Sequence, residues 1–140
     1  MDLIRLEGAG GSVIVRIAGK QSADRASGAD GLVGEILVDT AFVRGSIAAE
    51  VFPDDLTEWQ EALDALDCGE DIGWREGKRP TELLIGLDED GERAHVTVTD
   101  RSASPTSVTI TVDLPDTWFD DAYHRLELVQ QAWPLDDARG

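Results

Sequence analysis

The sequence predicts an α+β fold: an antiparallel sheet or sandwich of about seven or eight strands with two amphipathic helices packed on it. Three observations carry this. Apolar residues alternate with polar ones in short runs, such as Val13, Val15 and Ile17, or Ala94, Val96 and Val98, which is strand periodicity. Two longer segments repeat apolar residues at helical spacing. Turn-forming pairs such as Asp90-Gly91 separate the alternating runs.

Leu3, Ile4 and Leu6 open the chain as a strand, and Gly8-Ala9-Gly10-Gly11 supplies a turn. Residues 13–18 form the next strand. The stretch from Gly19 to Gly31 is rich in Gly, Ser, Ala and Asp; with no apolar pattern it reads as a mobile surface loop. Leu32–Val38 and Phe42–Val51 read as a hairpin.

The first helix follows Pro53, with Asp55 and Glu58 at capping-box spacing. Leu56, Trp59, Leu63 and Leu66 share one face; Asp54, Glu58, Glu61 and Asp64 share the other. Gly69 lies where a C-terminal cap belongs.

Ile72-Gly73-Trp74, Leu83–Leu87, Ala94–Thr99 and Val108–Val112 supply a second β region. Threonines on one face and branched aliphatics on the other describe strands with one buried face. The second helix runs from about Asp116 to Trp133, and Pro134 stops it. Pro53-Asp54 and Pro115-Asp116 both precede helices. The helices do not align further, so the sequence alone reads this pairing as coincidence.

The 140 residues are expected to form a single domain, residues 1–140. Asp and Glu number 29 against 12 Lys and Arg, a formal net charge of −17. Such a surface repels phosphate backbones, so no direct nucleic-acid partner is expected. One cysteine, Cys68, permits no internal disulfide, and with two histidines it makes a zinc site improbable. The N-terminus lacks a signal-peptide pattern and no apolar run approaches membrane length, so a cytoplasmic protein with no membrane partner is expected. There is no phosphate loop, dinucleotide fingerprint or nucleophile elbow. No cofactor is therefore expected.

The segment Leu56-Thr57-Glu58-Trp59-Gln60-Glu61-Ala62-Leu63-Asp64-Ala65-Leu66, its following Gly69, Trp74, the opening Met1–Leu6 and the closing Trp133-Pro134 resemble a family of small, uncharacterised actinobacterial proteins. The shared features are structural and imply no catalytic residues. The resemblance implies free-standing accessory genes, some beside toxin systems and some beside secondary-metabolite clusters.

Individual residues divide between plain and functional readings. His124 falls among acids on a polar helical face and reads as solvated. His95 shares a strand face with Thr97 and Thr99. It is a surface residue if that face is wet, and the best general acid/base if the face lines a hollow. Asp88-Glu89-Asp90-Gly91-Glu92 resembles the start of a calcium loop but lacks the ligand spacing. Trp59, Trp118 and Trp133 belong to apolar helical faces and read first as core. Trp74, beside Arg75, is the aromatic best suited to a pocket wall.

Two functions fit. One is a small cofactor-independent enzyme of secondary metabolism that folds an apolar carbonyl substrate toward dehydration, conjugate addition or cyclisation. His95 would be its acid/base, Tyr123 and Arg75 would polarise an oxygen, and Trp74, Trp59 and Trp118 would line the substrate site. The other is a non-catalytic acidic protein, of immunity or accessory type, that docks a basic partner through Asp54, Glu58, Glu61 and Asp64. Self-association into a homo-oligomer is compatible with either.

Overall fold

The computed structural model describes residues 1–21, 31–75 and 80–133. Four strands come first: β1 (Asp2–Gly8), β2 (Gly11–Gln21), β3 (Gly31–Thr40) and β4 (Arg44–Val51). Helix α1 (Pro53–Asp67) follows. Then come β5 (Ile72–Trp74), β6 (Thr81–Leu87), β7 (Arg93–Asp100) and β8 (Thr106–Asp113), and finally α2 (Asp116–Ala132). The strands form two four-stranded antiparallel sheets, ordered β1-β2-β3-β4 and β5-β6-β7-β8. The α+β class is thus observed.

Each half is an antiparallel meander followed by a helix entered through Pro-Asp. The two halves share this element order although their helical sequences differ. Strand β2 continues through Gly19 and Lys20 to Gln21, and β3 already begins at Gly31. The ends of the stretch expected to be a mobile loop are therefore strand; its residues 22–30 lie outside the described residues.

Alternation decides what is buried. In the first sheet Leu6, Val13, Val15, Ile36, Val38 and Val51 face inward; in the second Leu83, Ile85, Val96, Val98, Ile110 and Val112 do. These residues join Leu56, Trp59, Leu63 and Leu66 of α1 and Ala122, Leu126 and Val129 of α2 in one apolar cluster. Burial of this kind contributes roughly 25 cal/mol per Å² of apolar surface and is the main stabilising term. Helix α2 is tied to β1 by Trp118 Nε1, which donates to the Arg5 carbonyl at 2.7 Å.

Both ends of α1 follow from sequence. Gly69 has φ +90°, a left-handed conformation natural to glycine. Its N–H donates to the Leu66 carbonyl, and that of Glu70 to Ala65, each at 3.0 Å. These two bonds are a Schellman cap. The N-terminus differs from the expected capping box at Asp55 and Glu58. The helix starts one turn earlier, with Phe52 as N-cap and Pro53 in the first turn. The Asp55 carboxylate reaches back to accept the Phe52 N–H at 2.9 Å. Glu58 is thereby released for another task.

Candidate functional site

The residues singled out in sequence fall into three separate surroundings. His95 is exposed on the outer face of β7, opposite Thr111 of β8. Its Nδ1 lies 3.3 Å from Thr111 Oγ1. The same face carries a hydroxyl ladder: Thr97 Oγ1 meets Thr109 Oγ1 at 2.9 Å, and Thr99 Oγ1 meets Ser107 Oγ at 3.1 Å. Ser107, Thr109 and Thr111 are exposed. This face is open at His95, Thr109 and Thr111, with Thr97 half-buried and Thr99 buried, and the aliphatic face is the dry one.

Tyr123 is half-buried on α2. Its hydroxyl donates to Asp64 Oδ1 of α1 at 2.6 Å, joining the two helices. Burial, then the Asp64 carboxylate, raises its pKa well above the ordinary 10.0. The phenol is thus held protonated, with its proton committed to Asp64. Because the folded pKa lies above the unfolded one, this link contributes stability fully below about pH 10. The contribution is lost as pH rises toward the folded pKa. Tyr123→Phe is expected to cost about 1 kcal/mol at neutral pH and to flatten the alkaline fall in stability, read from urea unfolding across that range.

Arg75 is only 3 % exposed, with a left-handed φ of +65°. Its Nη1 donates to the Glu50 carbonyl at 2.6 Å, its Nε to the Thr81 carbonyl and its Nη2 to Thr81 Oγ1, both at 3.2 Å. The guanidinium also lies 3.9 Å from the buried Asp55 carboxylate and 5.6 Å from the Trp74 ring centre. The Arg75 N–H donates to Glu58 Oε1 at 2.6 Å. Trp74, fully buried, donates its Nε1 to the Asp55 carbonyl at 2.8 Å. It packs on the equally buried Trp59 with ring centres 5.7 Å apart. The cluster joins the end of β4, the start of α1, β5 and the start of β6. Arg75, Trp74 and Trp59 are therefore brought together, but as a packed joint that presents no surface to a ligand.

Trp118 stands apart from that joint. It is half-buried, edge-on to Phe119 with ring centres at 5.1 Å, and borders an open cleft with Arg5, Glu7, Asp113 and Arg125. Both arginines of that cleft are engaged: Arg5 pairs with Asp2 and Glu7, and Arg125 pairs with Asp121 at 2.7 Å. No contact among the described residues joins His95, Tyr123 and Arg75, and among those residues no group of three or more His, Cys, Asp or Glu could hold a metal.

The acidic surface is different. Of the acids assigned to the polar face of α1, Glu58 holds the Arg75 N–H and Asp64 holds Tyr123. Glu61, Asp67 and Glu70 are exposed, and among the described residues no Lys or Arg pairs with them. The last turn of α1 carries no basic residue. Beyond it, Asp71 Oδ1 accepts the Leu87 N–H at 2.8 Å, setting the end of α1 beside the β6–β7 hairpin. That hairpin carries exposed Glu89, Asp90 and Glu92. The join was invisible in sequence, because nothing local marks Asp71 as the partner of a strand sixteen residues on.

Comparison with the curated proteins and with the solved structures returns no match. No helix among the described residues is long and apolar enough to cross a membrane. A family of unknown function, DUF5959, matches residues 1–134, and the chain belongs to that family.

Proposed function

We propose that this protein is a non-catalytic acidic binding protein that docks a basic protein partner on the surface formed by α1 and the β6–β7 hairpin. One observation carries the reading: on α1 and the turn that ends it, Glu61, Asp67 and Glu70 stand exposed, and among the described residues no Lys or Arg pairs with them. Asp67 and Glu70 lie at the C-terminal end of α1, where the helix dipole is negative and acids are unfavourable. Helix stability therefore does not explain them. An opposed charge on a partner does, because it speeds encounter and fixes orientation. An actinobacterial source and a cytoplasmic setting belong to the same proposal. The source is supported by the helix resemblance and by ten arginines against two lysines, and the setting by the single cysteine.

The first partner to test is a basic protein encoded beside the gene. Neutralising the surface as Glu61→Gln, Asp67→Asn and Glu70→Gln is expected to slow association at least tenfold at ~0.1 M salt and to shrink its salt dependence. The same variant is expected to unfold at a slightly higher temperature, because two unfavourable dipole contacts are gone. Neutralising Asp116, Asp120 and Glu127 on α2 is the control and should leave association nearly unchanged. Equal slowing by both variants would reduce the effect to net charge and overturn the assignment of the surface.

A further inference from the structure

Strand β4 is the outermost strand of the first sheet, and its outer edge is chemically self-complementary. The Thr40 N–H donates to the Val43 carbonyl at 2.7 Å, so the Thr40–Val43 pair is hydrogen-bonded. The β3–β4 register then runs unbroken from Asp39↔Arg44 to Leu32↔Val51. Alternation makes Gly45, Ile47, Ala49 and Val51 the residues bonded to β3. Arg44, Ser46, Ala48 and Glu50 turn their N–H and C=O groups outward. The Glu50 carbonyl agrees, since it accepts the Arg75 guanidinium. Among the described residues nothing meets the outward groups of Ser46 and Ala48. The strand holds no proline, lysine or bulge, the usual devices that protect an edge.

Residues 42–52 read Phe-Val-Arg-Gly-Ser-Ile-Ala-Ala-Glu-Val-Phe. About Ile47 this run is a chemical mirror: Phe42 answers Phe52, Val43 answers Val51, Gly45 answers Ala49, and Ser46 answers Ala48. The one pair that differs in sign, Arg44 and Glu50, differs as two opposed strands require. We propose that β4 pairs antiparallel with β4 of a second copy of this chain about a two-fold axis at Ile47, merging two four-stranded sheets into one.

The register satisfies the backbone as well as the side chains. It sets Ser46 opposite Ala48 of the second copy, and both residues have outward-facing N–H and C=O groups. The two-fold axis repeats the pair, giving about four main-chain hydrogen bonds. Arg44 stands opposite Glu50 of the second copy, and Arg75, already on the Glu50 carbonyl, ends the ladder there. Shifting the axis by one residue along the strand keeps the hydrogen bonding but loses the Arg44–Glu50 pairing. Apolar surface flanks the edge: Phe42 is 95 % exposed, and Val33 and Ala48 line a cleft with Met1 and Trp133. The surroundings also suit a second copy of a chain carrying −17. From Thr40 to Ala49 there is no Asp or Glu, although acids make up 29 of 140 residues. The segment around the axis thus adds no acid of its own, and the neighbouring Asp39 is paired with Arg44 at 3.1 Å.

Sedimentation equilibrium of the full chain, from about 1 µM to about 1 mM, tests this proposal. Wild type is expected to show a reversible monomer–dimer equilibrium. Arg44→Glu, which sets like charges opposite, should weaken it at least tenfold, and adding Glu50→Arg to that variant should restore it. Ser46→Pro removes an outward N–H while leaving the β3 ladder intact; it should give a monomer whose unfolding midpoint equals that of wild type diluted to its monomeric range. A wild type monomeric throughout, a dimer indifferent to Arg44→Glu and Ser46→Pro, or a double charge swap that fails to restore pairing would each overturn the proposal.

Discussion

Replacing Arg75 by Ala is expected to destabilise the protein by about 3–5 kcal/mol, the usual loss when one partner of a buried charged cluster is removed. The Glu50 carbonyl and both Thr81 oxygens lose their donors, and the Asp55 carboxylate loses the cation 3.9 Å away. Taking donors away from buried acceptors costs more than their bonds contributed, although Asp55 keeps the Phe52 N–H. Small domains have about 5–15 kcal/mol in total, so a large share of the stability goes. The backbone at Arg75 sharpens the expectation. Its φ of +65° disfavours any L residue by roughly 1–2 kcal/mol relative to glycine. Arg75→Gly should therefore be more stable than Arg75→Ala by about 1 kcal/mol, reversing the order found in ordinary strands. Urea midpoints at unchanged slope provide the check. An Ala variant equal to Gly would mean that the left-handed backbone has relaxed.

The second large effect is expected at Gly8. A Cβ there would lie 2.4 Å from the Thr111 carbonyl oxygen and 2.9 Å from Val112 Cα. Both are backbone atoms of β8, so no side-chain rotation makes room. The end of β1 and strand β8 touch here, and the contact helps to set one sheet against the other. Removing a strand glycine gains about 0.5–1 kcal/mol in chain entropy. Forcing two backbones apart costs about 1–3 kcal/mol or more, so the clash wins. Gly8→Ala should lower the thermal midpoint by about 4 °C for each kcal/mol lost. Gly19→Ala, with no atom within 4 Å of its Cβ, should leave the midpoint level or raise it.

These two residues show where sequence reading stops. The strands and helices were legible because their signals are local: alternation in Val13–Ile17 and Ala94–Val98, helical spacing in Leu56–Leu66, and a glycine at 69. The division of β7 into a threonine and an aliphatic face was legible too, but whether the threonine face met solvent or a hollow was not. Arg75 offered no such signal. Its partners Glu50, Asp55 and Thr81 lie on three elements, so its role exists only once the chain has folded. It invited a catalytic reading because an arginine beside a tryptophan serves a ligand pocket as well as a packed joint. Exposure separates the two, and periodicity cannot supply it for an isolated dipeptide at the end of a three-residue strand. The α1 acids were counted correctly, but their availability was not legible. Glu58 and Asp64 are engaged by Arg75 and Tyr123, while Glu61, Asp67 and Glu70 meet no Lys or Arg among the described residues. The mirror about Ile47 was present in the sequence and acquired meaning only when β4 proved to be an edge.

The most direct measurement of the central claim is the footprint of a bound basic partner, read by amide hydrogen exchange of the complex against the free protein. Slowed exchange along the exposed turns of α1 and in the β6–β7 hairpin, with the His95–Thr111 face unchanged, is the expected result. Protection centred on the threonine face, with α1 exchanging as in the free protein, would contradict it.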